Sequence, residues 1–153
     1  MFQGSVESIH IAGAAKTAMQ SVQAVAAIPG VGLEGDRYAL KQGTFFKPDH
    51  PDRELTLIEA EAVEAFVSEC NVEFTASAAR RNVVTRGVPL NHLVGREFRI
   101  GEVRIKGIRL CEPCSHLEEL TGKPVLKGMV HRCGLRAQIL SEGVIRVGDP
   151  VSV

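Results

Sequence analysis

Hydrophobic and polar positions alternate along most of this chain, and only one stretch carries a helical period. Gly4–Ile11 and residues 22–28 read as strands, the second ending at Pro29-Gly30. Residues 53–58 predict another strand. Residues 59–70 then change period: Ala60, Val63, Phe66, Val67 and Cys70 recur at helical spacing, with Glu59, Glu61, Glu64 and Glu69 off that face. From residue 82 the chain returns to short β segments at 82–85, 97–100, 103–110, 135–140, 144–147 and 150–153. Gly87, Gly95, Gly101, Gly143 and Gly148 punctuate them, and residues 100–103 and 141–144 read as hairpin turns. Many short strands at regular spacing predict a mainly β fold, a barrel or sandwich, with a few peripheral helices.

Between these elements lie three irregular stretches. Residues 30–38 place three glycines in six residues ahead of Asp36-Arg37-Tyr38, which predicts a special loop. Its backbone N–H groups could hold an anion, but it lacks the spacing of a nucleotide P-loop. Residues 41–52 are polar and contain Pro48 and Pro51, so they read as a surface loop. The third stretch is Leu110-Cys111-Glu112-Pro113-Cys114-Ser115-His116. Ser115 and Glu118 have capping-box spacing, so a short helix over 116–120 is expected to start at Ser115. Cys114 then sits just before a helix N-terminus, where the thiolate form is favoured.

Bulk properties narrow the classes. With 153 residues the chain is expected to fold as one domain over 1–153, burying ~70 % of its unfolded surface. Net charge is zero but unevenly spread: residues 1–79 hold five Lys/Arg against eleven Asp/Glu, and residues 80–153 thirteen against seven. The C-terminal half is a candidate for anion binding, or the two halves pair across one domain. Six Phe, one Tyr and no Trp, with no long basic run, argue against nucleic acid as a partner. No apolar run suits a membrane span, and the N-terminus lacks a signal peptide pattern, so a cytoplasmic protein is expected. Its four cysteines are then free, metal-bound or catalytic rather than structural disulfides.

Two chemistries compete for the cysteines. Cys111-x-x-Cys114 with His131-x-Cys133 supplies four ligands that suit a tetrahedral zinc site. Alternatively, Cys114 acts alone as a soft metal ligand or sulfur carrier. Cys111 then serves as a core residue or a resolving thiol. Arg80, Arg81, Arg86, Arg109, Arg132 and Arg136 fall in the positive half, and their forked guanidinium groups suit phosphate. Arg80 and Arg132 are the preferred candidates among them.

The ordered series Gly35-Asp36-Arg37, Arg80-Arg81-Asn82-Val83-Val84-Thr85, Leu93-Val94-Gly95-Arg96-Glu97-Phe98, Cys111-Glu112-Pro113-Cys114 and Gly134-Leu135-Arg136-Ala137 resembles the MOSC domain. So does the closing stretch Ile145-Arg146-Val147-Gly148-Asp149-Pro150-Val151. MOSC is the C-terminal module of molybdenum cofactor sulfurases and also occurs as stand-alone small proteins. The resemblance implies a β-barrel with peripheral helices. It implies molybdenum cofactor, a molybdopterin-type anion, as ligand, with Arg80 and Asn82 as cofactor-binding residues; Arg132 joins them on the chemistry of its guanidinium fork alone. It assigns the family cysteine to Cys114, as catalytic thiolate in sulfur transfer or as molybdenum ligand in reduction of N-hydroxylated substrates. A sulfur-donor or electron-donor protein partner is implied as well. Pyridoxal phosphate, which belongs to a separate desulfurase domain, is not expected. The family's early motif is commonly Gly-Asp-Arg-His, where this chain has Tyr38. The alternative is a non-catalytic module, either zinc-stabilised by Cys111, Cys114, His131 and Cys133 or carrying the cofactor without turnover.

Overall fold

The computed structural model describes residues 2–41 and 50–153. Its centre is a closed barrel of seven strands. In order around the barrel these are β1 (Gly4–Ile11), β11 (Pro150–Ser152), β7 (Glu97–Ile100), β8 (Val103–Leu110), β9 (Leu135–Ile139), β5 (Leu55–Glu59) and β6 (Val83–Arg86), which returns to β1. Closure removes the open sheet edges that would invite aggregation. Every pairing in the ring is antiparallel except β5 with β6, where Leu57 faces Val83 in parallel register. Parallel neighbours need a crossover, and α1 (Ala60–Cys70) supplies it.

That crossover explains a local sequence feature. β5 and β6 are apolar on both faces, because both are covered. Leu57 and Val83 point into the barrel core with Phe98, Ile100, Ile105 and Leu135. Ile58 and Val84 point outward beneath α1, against Val63, Phe66 and Met129. Phe66 in turn meets Phe74 edge-on, with ring centroids 5.0 Å apart. Strands β7 and β8 keep the alternation of a half-buried sheet, as in β8, where Val103, Ile105 and Gly107 are buried and Arg104 and Lys106 exposed.

The expected strand over 22–28 divides. β2 (Gln20–Val22) continues the hairpin with β1, while β3 (Ala24–Ile28) leaves for a small second sheet between β10 (Gly143–Arg146) and β4 (Gly32–Leu33). The burial phase shifts at Gln23, with Gln23 and Ala24 both exposed, but a run of small apolar residues over 24–28 hides the change of sheet. The expected hairpin at 141–144 is absent: β10 pairs with β3, not with β9. The turn at 100–103 is a hairpin, joining β7 to β8. Of the expected surface loop at 41–52, residues 42–49 lie outside the described residues, and Pro51–Arg53 forms one 3₁₀ turn.

Helix α2 (Ser115–Thr121) begins where expected, but without a capping box. Cys114 is itself the N-cap, its carbonyl accepting from the Glu118 N–H, and the Glu118 carboxylate instead accepts from the Leu126 N–H at the start of α3 (Val125–Gly128). The one-turn α3 is too short for any periodicity to announce it.

Candidate functional site

Four irregular segments meet beside the barrel and enclose a cavity of about 220 Å³. The loop after β4 contributes Arg37 and Tyr38, and the segment before β6 contributes Arg80 and Arg81. The turn after β8 brings Glu112 and Cys114, and α2 brings His116, Leu117 and Leu120. Arg53, Thr56 and Arg136 enter from the 3₁₀ turn, β5 and β9, and Lys16 completes the lining.

Consecutive residues in an extended chain point to opposite sides, yet Arg80 and Arg81 line one cavity. The reason is the left-handed backbone at Arg80, φ 60° and ψ 34°, which ends the 3₁₀ turn Ser77–Ala79 and turns the chain. The Gly-Asp-Arg loop holds this bend. Asp36 is fully buried, pairs with Arg37 at 3.2 Å and accepts from the Ala12 N–H at 3.1 Å. Arg37 lies 4.8 Å from the Tyr38 ring centre and donates to the Arg80 carbonyl at 3.3 Å. Asp36 and Arg37 thus lock the loop and position Arg80 at once.

The charge in the cavity is strongly positive. Arg37 is neutralised by Asp36, and Asp52 is shared between Arg109 at 2.6 Å and Arg53 at 3.7 Å. Burial opposes ionisation of Asp52, but the Arg109 hydrogen bond and the charges of Arg109, Arg53 and Arg136 hold its pKa below the ordinary carboxylate value. Glu112 is committed to His131, Oε2 to Nδ1 at 2.6 Å. Among the described residues, Arg80, Arg81 and Arg136 have no carboxylate within ion-pair distance. Three guanidinium nitrogens, Arg53 Nε, Arg80 Nη2 and Arg136 Nη1, are buried with no hydrogen-bond partner among the described residues. Burial, and then the charge of a neighbouring arginine, lowers the pKa of Arg53 and Arg80. Native proteins leave few such donors unsatisfied, and a cluster of three marks a site that wants acceptor oxygens.

Behind this surface Arg81 is buried, at 9 % exposure. Its Nε donates to the Cys133 carbonyl at 2.8 Å, and its Nη2 to the Cys111 carbonyl at 3.4 Å and the Cys133 sulfur at 3.2 Å. Burial alone would push this guanidinium down, but Cys111, Cys133, Tyr38 and Cys114 around it hold it above its ordinary value. Burial also raises the Cys133 thiol, against the pull of Arg81. Arg81 is therefore charged beside a Cys133 that burial keeps protonated at rest.

The sequence candidates separate here. Cys114 and Arg80 share the cavity. Asn82 is fully buried and not among its lining residues; its amide accepts from the Thr56 N–H at 3.2 Å and hydroxyl at 3.1 Å and donates to the His10 carbonyl at 3.1 Å. Arg132 also lies apart, donating to the Gly128 carbonyl at 2.9 Å and to Glu69 at 2.6 Å. The four-ligand zinc site does not form. Cys111, Cys114 and Cys133 lie near the Arg81 guanidinium, and the exposed His131 pairs with Glu112. Among the described residues no group of three or more His, Cys, Asp or Glu side chains is placed to hold a metal ion. Arg53 carried no signal in the sequence. Arg81 and Arg136 stood in the arginine series, where alternation reads equally as the wet face of a sheet.

The model of the MOSC domain matches residues 42–152. The chain belongs to the MOSC domain family. The fold of this MOSC protein is similar to that of the YuaD protein from Bacillus subtilis, with a TM-score of 0.80 at 15 % identity, over 99 % of this chain and 97 % of that one. YiiM from Geobacillus stearothermophilus is similar at a TM-score of 0.74 and 20 % identity, over 97 % of this chain and 74 % of that one. YiiM from Escherichia coli gives 0.69 and 21 %, over 99 % and 69 %. No curated protein matches the chain. No helix among the described residues is long and apolar enough to cross a membrane.

Proposed function

We propose that this MOSC protein binds molybdenum cofactor, or a closely similar molybdopterin-type anion, and uses Cys114 as a sulfur-carrying thiolate. The observation that carries the reading is one half-buried thiol lining the same cavity as three arginines whose buried guanidinium N–H groups lack acceptors among the described residues. The donor set fits such a ligand. Arg80, Arg53 and Arg136 would hold a phosphate through the free N–H groups, and Cys114 presents a soft sulfur in the same cavity. When bound, the cofactor supplies a metal centre able to accept sulfur or exchange electrons. The chain's part is to bind and orient it, to exclude water with Leu117 and Leu120, and to bring the Cys114 sulfur alongside. Asn82 contributes from beneath, fixing the strand start that carries Arg80 and Arg81, and Arg132 ties α3 to α1.

A second chemistry at the same thiol is molybdenum ligation in the reduction of N-hydroxylated substrates. It is favoured by an open groove of about 500 Å³ that shares Lys16, Arg80 and Leu120 with the cavity and leaves room for a substrate beside it. That reaction draws electrons from a partner protein, since the chain carries no haem or iron–sulfur motif.

The test is metal and pterin analysis of protein purified gently under anaerobic conditions. Wild type is expected to retain both, and Cys114→Ala and Arg80→Ala to lose most of each. Retention of stoichiometric zinc that disappears in Cys111→Ala and Cys133→Ala would overturn the reading. Persulfide labelling then separates the two chemistries: sulfur carried on Cys114 is expected for the relay and absent for ligation alone.

A further inference from the structure

Of the three thiols this reading leaves unused, Cys111 and Cys133 lie against Arg81. Cys133 Sγ is 3.2 Å from Arg81 Nη2, and Cys111 gives its carbonyl to the same nitrogen. Cys114 packs against the apolar cluster that contains Cys133, and it lines the cavity together with Arg81. Cys111, although buried, belongs neither to that cluster nor to the cavity lining. Cys133 therefore shares an apolar cluster with Cys114 and accepts a direct hydrogen bond from a buried cation. A sulfur held as a cysteine persulfide is formally zero-valent, and it must gain two electrons to leave as sulfide.

We propose that Cys133 is the resolving thiol that discharges sulfur from Cys114, with Arg81 as its positioning residue; the proposal rests on the sulfur-carrying reading of Cys114. A persulfide or polysulfide donor loads Cys114. The Cys133 sulfur attacks the inner sulfur of Cys114–S–S⁻, forming the Cys114–Cys133 disulfide and breaking the bond to the outer sulfur. The outer sulfur departs as hydrosulfide with the proton from Cys133. The two thiol sulfurs supply the two electrons, so charge and atoms balance without any other reductant. Arg81 compensates the negative charge that grows on Cys133 during attack. Burial keeps that thiol neutral until then, and the product is released facing the guanidinium groups of the cavity. An external thiol reductant resets the pair.

The experiment uses the full chain carrying Cys70→Ser, which removes the other half-buried thiol. An anionic aromatic disulfide reagent first caps Cys114 and releases one equivalent of coloured thiolate. A second equivalent is expected as Cys133 displaces the cap, and Cys133→Ser is expected to stop at one. Cys111→Ser is expected to release both. Peptide mapping of the treated Cys70→Ser protein, which needs no cysteine variant at the site, is expected to find Cys114 joined to Cys133. With sodium tetrasulfide as donor, sulfide release is expected to fall at least tenfold in Cys133→Ser while persulfide accumulates on Cys114. Release at an unchanged rate, or a mapped Cys111–Cys114 disulfide, overturns the assignment of Cys133. A Cys114 that takes no sulfur from tetrasulfide, yet still forms the Cys133 disulfide with the aromatic reagent, overturns the sulfur-carrying reading and with it the discharge step. A persulfide on Cys114 that outlives Cys133 in its reduced form overturns the discharge alone.

Discussion

The Arg81 guanidinium donates to the Cys133 sulfur at 3.2 Å and, among the described residues, has no carboxylate within ion-pair distance. A buried cation of this kind is held by carbonyl oxygens and sulfur, and its remaining charge is available to whatever enters the cavity. Two effects of removing it oppose each other. Arg81→Met loses hydrogen bonds to charged groups worth about 1.5–3 kcal/mol each, but it also relieves the cost of a buried charge. The variant is therefore expected to stay within about 2 kcal/mol of wild type in denaturant unfolding without ligand. Ligand linkage is expected to change more. Wild type should gain about 1.4 kcal/mol at a pyrophosphate concentration ten times its dissociation constant, and Arg81→Met should lose most of that gain. Equal gains in the two proteins would show that the Arg81 charge does not reach the cavity.

Asn82 gives the opposite pattern. Its side chain satisfies the Thr56 N–H and hydroxyl and the His10 carbonyl, tying β5, β6 and β1 together. Asn82→Ala leaves these buried groups unpaired, and the expected loss is on the order of 3 kcal/mol. Measured where the variant is still folded, pyrophosphate should stabilise it nearly as much as wild type. A loss of anion binding with unchanged stability would instead place Asn82 in direct contact with the ligand.

The contrast between Arg81 and Asn82 shows what the sequence could convey. The β-rich barrel was legible because alternation in β7 and β8 reflects one wet and one dry face. The helix over 60–70 was legible because its period differs from everything around it. Cys114 stood out through its place between a strand and a helix start. The cavity was less legible, since its arginines come from segments whose meeting depends on barrel closure and on one left-handed residue, Arg80. Neither pattern nor spacing says that Asn82 spends its amide on Thr56 and His10 while Arg53 keeps a donor free. His131 failed as a zinc ligand for a similar reason: its spacing to Cys133 was suitable, but Glu112 supplies a nearer partner at the surface.

Gly134 links the backbone to the thiol site. It follows Cys133 with φ +120°, and a Cβ built there would lie 2.1 Å from the Leu57 carbonyl oxygen and 3.5 Å from Arg81 Nε. The carbonyl belongs to β5 and cannot yield without disturbing the barrel. Gly134→Ala is expected to destabilise by more than about 3 kcal/mol, from backbone strain and overpacking together. Urea unfolding measures this directly. If the variant instead unfolded like wild type, the strand β9 would have to shift, and the Arg81–Cys133 contact with it.

His10 provides a pH handle on the same framework. Its ring is buried between the hydroxyls of Ser8, 2.9 Å from Nε2, and Ser21, 3.2 Å from Nδ1. Burial holds its pKa below the ordinary 6.5, so the folded protein keeps the ring neutral where the unfolded chain would charge it. Between the lowered folded value and 6.5 the unfolded state binds more protons, and stability therefore rises with pH across that window. Below it the loss is complete. Glu54 and Glu59 work with the opposite sign: burial raises both, and each costs stability as pH rises through its range. Comparing wild type with His10→Gln in urea unfolding between about pH 7.5 and 5 cancels these carboxylates and isolates the imidazole. Wild type is expected to lose stability on acidification through this range relative to the variant. Parallel curves would mean that the ring finds a charged-state partner in the folded protein, contrary to its seat between two hydroxyls and beside the Asn82 knot.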